Sequence, residues 1–116
     1  MTEAFDQTAR MGLKPMNTIL GEDLKLTAHS EQVFEPMHVP VLNIGVRVIS
    51  TAEVLVIIEE SDGFEWTIRD KMETVPGETV WHHNLRNPDF RVRVRNQSPT
   101  EEVMVSVGIK WMARVE

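Results

Sequence analysis

The chain has no cysteine and no tyrosine, and aromatic residues make up only 6% of its 116 positions. Without cysteine there are no disulfide staples, thiolate metal sites or thiol nucleophiles, which excludes a small disulfide-rich secreted scaffold. With no tyrosine and only three tryptophans, a carbohydrate-binding sandwich lacks its usual aromatic platforms, and an antibody-like paratope lacks its main residue. Basic excess is missing too. Twelve Lys and Arg stand against 18 Asp and Glu, for a net charge of −6 and a pI near 5.2. Nucleic-acid binders neutralise phosphates with a basic footprint, so neither nucleic acid nor an anionic membrane is an expected partner.

Long hydrophobic runs are also absent. The longest, Val54 to Ile58, is far short of the roughly 20 residues a membrane-spanning helix needs. The opening Met1-Thr2-Glu3-Ala4-Phe5-Asp6 is acidic and has no apolar h-region, so it does not read as a signal peptide. The expected product is soluble in the cytoplasm where it is made, or joins a particle assembled there.

What is present is an ordinary globular composition, 41% hydrophobic and 26% charged, in a length that suits one domain. Residues 1–22 differ from the remainder. Thr2 could cap a short helix through Met11, with Gly12 as its stop, and Gly12 to Asn17 has no strong period. The segment reads as an N-terminal arm that orders against a neighbour, with Phe5, Met11 and Met16 as its docking residues. Residues 23–116 read as the body.

In the body, period two dominates. Leu24, Leu26 and Ala28 alternate with polar residues, Val33 to Glu35 forms a short strand ended by Pro36, and Val39-Pro40-Val41 leads to Ile44, Val46 and Val48. Val54 to Glu59 is β-branched on both faces, as a central strand is. Ser61-Asp62-Gly63 marks a hairpin turn and Pro76-Gly77 a type II turn. Phe64, Trp66 and Ile68 share a face, Thr79 to His83 starts another strand, and Phe90, Val92 and Val94 alternate with Arg91, Arg93 and Arg95. Val103 to Trp111 is the clearest strand. About eight short strands without a helical period give an all-β fold: an antiparallel β-sandwich, an eight-stranded jelly roll preceded by an arm.

No catalytic, cofactor or metal set survives its spacing test. His82 and His83 are adjacent, so on a strand they face opposite ways and cannot grip one ion. His29 and His38 complete no ligand set with them. No serine occupies a G-x-S-x-G elbow, and no Gly-rich phosphate loop occurs. Glu59, Glu60 and Asp62 cluster at a hairpin, yet match no calcium loop. Trp66, Trp81 and Trp111 read as core or core-edge residues. The stripe Arg91, Arg93 and Arg95 places three guanidinium groups on one strand face about 7 Å apart. Either Glu or Asp on neighbouring strands pairs with them, or they form an interface stripe for carboxylates of another subunit.

The stretch Pro76-Gly77-Glu78-Thr79-Val80-Trp81, followed by Asn87 to Asn96 with its arginine stripe, resembles small β-sandwich structural proteins of tailed bacteriophages, in particular capsid decoration (cement) proteins. The resemblance covers about the last forty residues and the general layout. It implies a non-enzymatic virion subunit on the capsid exterior, a homo-oligomer with a trimer as the expected form, and a major capsid or other virion protein as partner. A tail, neck or baseplate component fits the same resemblance. The alternative from another class is a module binding carbohydrate or peptide on a concave face carrying Trp81 or Trp111.

Overall fold

The structure, a computed structural model, describes residues 13–114. Nine strands and no helix occur among them: β1 (Leu13–Leu26), β2 (Glu31–Val33), β3 (Met37–His38), β4 (Asn43–Ser50), β5 (Leu55–Ser61), β6 (Trp66–Glu73), β7 (Gly77–Asn84), β8 (Asp89–Arg95) and β9 (Val103–Arg114). They form a four-stranded sheet in the order β1-β9-β4-β7 and a five-stranded sheet in which β2 and β3 both flank β8, followed by β5 and β6.

The pairing is nested. β1 pairs with β9, β2 and β3 with β8, β4 with β7 and β5 with β6, all antiparallel. The chain is thus one long hairpin with its apex between β5 and β6, wrapped so that alternate pairs fall in opposite sheets. Contacts of β4 with β9 and of β5 with β8 close the wrap. This is a jelly roll. β2 and β3 share one strand position, interrupted where Pro36 cannot donate to a ladder, which reconciles nine segments with the eight strands expected.

The interior is filled by the inward residues of each alternation. Ile44, Val46 and Val48 of β4 and Val105, Val107 and Ile109 of β9 face Val56 and Ile58 of β5 and Phe90, Val92 and Val94 of β8, all buried. Fully burying each such side chain is worth about 1.5–3 kcal/mol. Asn96 closes one end of the sandwich. Its Nδ2 donates to the carbonyls of Leu26, Thr27 and Glu101, and its Oδ1 accepts the N–H of Ser98.

The expected arm meets the structure at Leu13. Residues 13–22 run in β1, because Met16, Thr18 and Gly21 find partners on β9 at Trp111, Ile109 and Val107. Two register shifts, either side of Gly21, break the alternation that a sequence scan depends on. Phe5, Met11 and the short helix expected through Met11 lie outside the described residues. Beyond Lys110, the last β9 partner of β4, β9 pairs with β1 alone.

Candidate functional site

The outer faces of the two sheets differ in kind. On the five-stranded sheet, Arg91, Arg93 and Arg95 of β8 lie between Glu31 of β2 and Glu59 of β5. Arg91 Nε donates to Glu59 at 2.9 Å, Arg93 to Glu31 at 2.9 and 3.0 Å, and Arg95 to Glu31 at 3.2 Å. A fourth residue pair, Arg93 with Glu59, lies at 3.4 Å. Of the two uses open to the stripe, the structure contains the within-chain ladder. Burial raises the pKa of Glu31, but the hydrogen bonds and charges of Arg93 and Arg95 outweigh it and hold the carboxyl below its ordinary range. Within this layer Ile57 and Glu59 are buried, in register with Arg93 and Arg91. Trp66 lies on this outer face with the Arg91 guanidinium 4.4 Å from its ring, a cation–π contact. That placement corrects its reading as a core or core-edge residue, which Trp81 and Trp111 keep by packing against the core.

The four-stranded sheet has no such layer. Its outward rows run Asn17, Lys110, Gly45, His82 and then Ile19, Gly108, Arg47, Val80. Ile19 is 65% exposed, and Ile49, Val80, Met104 and Met112 are exposed with it. One surface ion pair, Arg47 to Glu78 at 2.8 Å, crosses the face. Where this face meets the sandwich end lies a groove of about 850 Å³, walled by Leu13, Pro15, Leu42, Leu85, Trp111 and Met112. Lys110 and His82 lie at the same groove, and no Asp or Glu lines it. Met16 is half-buried, in register with Trp111.

The histidine pair separates as strand alternation requires. His82 points outward, and His83 is buried between the sheets. His83 Nε2 lies 3.0 Å from Glu60 Oε2 and Nδ1 lies 3.3 Å from Asp70 Oδ2. The other Glu60 oxygen accepts the N–H groups of Arg86 and Asn87 at 2.8 and 2.9 Å. A β-bulge aims Asp70: Ile58 pairs with Asp70 and Glu59 with Ile68, so Arg69 is the extra residue on β6. The insertion turns Asp70 to the inner side that Ile58 occupies. Both ring nitrogens of His83 therefore have carboxylate partners within the chain. The cluster ties β5, β6 and β7 to the β7–β8 loop.

The three acidic residues read as one cluster are thereby dispersed: Glu59 faces outward, Glu60 inward, and Asp62 braces the apex turn. Among the described residues no group of three or more His, Cys, Asp or Glu is placed to hold a metal. At the apex the strand expected from Phe64 begins only at Trp66, and Phe64 is 96% exposed. The Asp62 carboxylate accepts the N–H groups of Phe64 and Glu65, which hold its pKa below the ordinary value.

No protein-family model and no curated protein matches the chain. Solved structures do. PBSX exported protein XepA superposes with a TM-score of 0.65 at 20% identity, over 81% of this chain and 36% of that one. The SPBc2 prophage-derived protein YomS gives 0.53 at 16% identity, over 85% and 95%. VP2 of infectious bursal disease virus, in its subviral particle, gives 0.55 at 8% identity, over 88% and 33%. The chain thus spans about a third of XepA and of VP2. At these identities the likeness is one of fold. It agrees with the jelly-roll architecture and with the resemblance to phage proteins drawn from the sequence.

Sequence reasoning missed Phe64 as an exposed group and Glu60, Asp70 and His83 as a unit. Positive φ at Gly63, +99°, followed the turn signature, but a turn signature does not set where the next strand begins. Nothing in the local pattern of β6 announces its bulge.

Proposed function

We infer that the chain is a non-enzymatic structural subunit of a virus particle, a capsid decoration (cement) protein of the tailed-bacteriophage type. It braces the particle through its N-terminal residues and the outer face of its four-stranded sheet, associating with itself and with a major capsid or other virion protein. The observation that carries this is the inequality of the two outer faces. One has its charges paired within the chain along the arginine ladder, with Val33 and Ile68 exposed at its margins. The other presents Ile19, Ile49, Val80 and Met112 to solvent beside an apolar groove. Exposed apolar residues set among polar ones beside an open apolar groove are the kind of surface that serves as a contact site. Prophage-derived and viral-particle proteins among the similar folds support the setting. Within the arm, Phe5 and Met11 remain the proposed contacts. Arg91, Arg93 and Arg95 are assigned to internal pairing.

The test is to produce the chain with an epitope tag in cells assembling particles, then purify those particles on a density gradient. The chain is expected in the particle band at a fixed copy number, with immunogold label on the capsid shell. Label confined to the tail assigns it to a tail, neck or baseplate position instead. Its absence from particles overturns the virion role.

A further inference from the structure

The apex of the rolled hairpin is rigidly built and ends in an uncovered aromatic ring. Ser61 Oγ accepts the N–H of Gly63 at 3.0 Å, and Asp62 Oδ1 accepts those of Phe64 and Glu65 at 2.9 and 3.1 Å. Phe64 is left 96% exposed. It is a knob with carboxylates on either side, Asp62 and Glu65, both exposed.

The groove beside Leu42 and Met112 has the opposite character. Its walls are apolar, its ionisable lining residues are Lys110 and His82, and it holds no carboxylate. The knob leaves from the five-stranded sheet and the groove lies against the four-stranded one, so they are separate parts of one surface. Both lie at the same end of the sandwich. The groove is bounded by the first residues of β4 and the last of β7, and Glu60, one residue before the apex, binds the loop that follows β7.

We propose, on the basis of the assembly function inferred above, that the partner of this groove is a second copy of the chain. The Phe64 knob of one copy enters the groove of the other, and Asp62 and Glu65 meet Lys110 and His82 at its rim. A buried aromatic anchor inside a ring of complementary polar groups is the arrangement that concentrates binding energy at interfaces. Because knob and groove share one end, copies meeting by those ends exchange knobs in a closed set, whereas opposite ends would favour an open filament.

The experiment uses the full chain in sedimentation velocity. Wild type is expected to associate with increasing concentration. Phe64→Ala and Leu42→Ala, both at exposed positions outside the core, should each weaken association roughly tenfold or more. A mixture of the two variants should recover a two-chain species, since the intact groove of the first receives the intact knob of the second. Recovery also shows that both variants are folded. A monomeric wild type, unchanged association in either variant, or a mixture that stays monomeric overturns the proposal. If the chain is found in particles but is monomeric alone, this inference fails and the virion role stands. Knob-dependent association by a chain absent from particles gives the reverse.

Discussion

His83 and Glu60 belong to opposite sheets, and their side chains meet between them, with Nε2 3.0 Å from Oε2. Burial raises the Glu60 pKa, yet contact with His83 and the N–H groups of Arg86 and Asn87 more than offset it, leaving the carboxyl below its ordinary 4.5. A carboxyl with a depressed folded pKa binds more protons unfolded, so its contribution is complete above the unfolded value and is lost as pH falls through the folded one. The urea midpoint should therefore hold from neutral pH to about 4.5 and decline below it. Glu60→Gln should flatten that decline. An equally steep acid transition in the variant would show that other groups govern it.

Carboxylates in this protein are predicted to differ in worth according to what covers them. Glu59, with 6% side-chain exposure, serves Arg91 and Arg93, and Glu59→Ala should cost about 3 kcal/mol, at the lower end for a buried pair. Glu102, more than half exposed and 3.8 Å from Lys25, should lose under ~1 kcal/mol on replacement by alanine. Equilibrium unfolding of the two variants makes the comparison, and equal losses would contradict it.

Glycines are predicted to divide the same way. A Cβ at Gly21 would run into Leu24 and lie 2.9 Å from the Phe34 ring, so Gly21→Ala should cost about 1–3 kcal/mol through overpacking. At Gly45 the nearest atoms belong to the flexible stem of Lys110, at 3.0 and 3.1 Å. Lys110 can swing aside, and Gly45→Ala should change the melting temperature little. The order of the two melting temperatures is the readout.

Strand existence was legible because alternation survives wherever one face is buried. Val103 to Ile109 and Phe90 to Val94 show it without interruption. What escaped was phase and partner. The first half of β1 was missed because the shifts around Gly21 break its alternation. Asp70 reads as an exposed acid until the bulge at Arg69 reverses its side. Glu60 looks like a solubilising charge near a hairpin tip, since its partner His83 stands 23 residues on and in the other sheet. The arginine stripe was legible as a stripe, but only the placement of Glu31 and Glu59 reveals that its charges are answered within the chain.

The groove is predicted to bind a hydrophobic reporter dye in the native state, because its walls are apolar and open to solvent. Leu42→Glu should reduce the native-state dye signal without altering the far-UV spectrum. Undiminished fluorescence would assign dye binding to the exposed row of Ile19 and Val80 instead.

Leu13 and Arg114 occupy the two sides of a single rung of the β1–β9 ladder. The two ends of the described span therefore lie at neighbouring points, roughly 5 Å apart as antiparallel partners are. Such a body can be spliced into a surface loop of a larger host with almost no gap to bridge. Chain joined directly at Leu13 and Arg114 would emerge at one corner, alongside the groove that Leu13 lines.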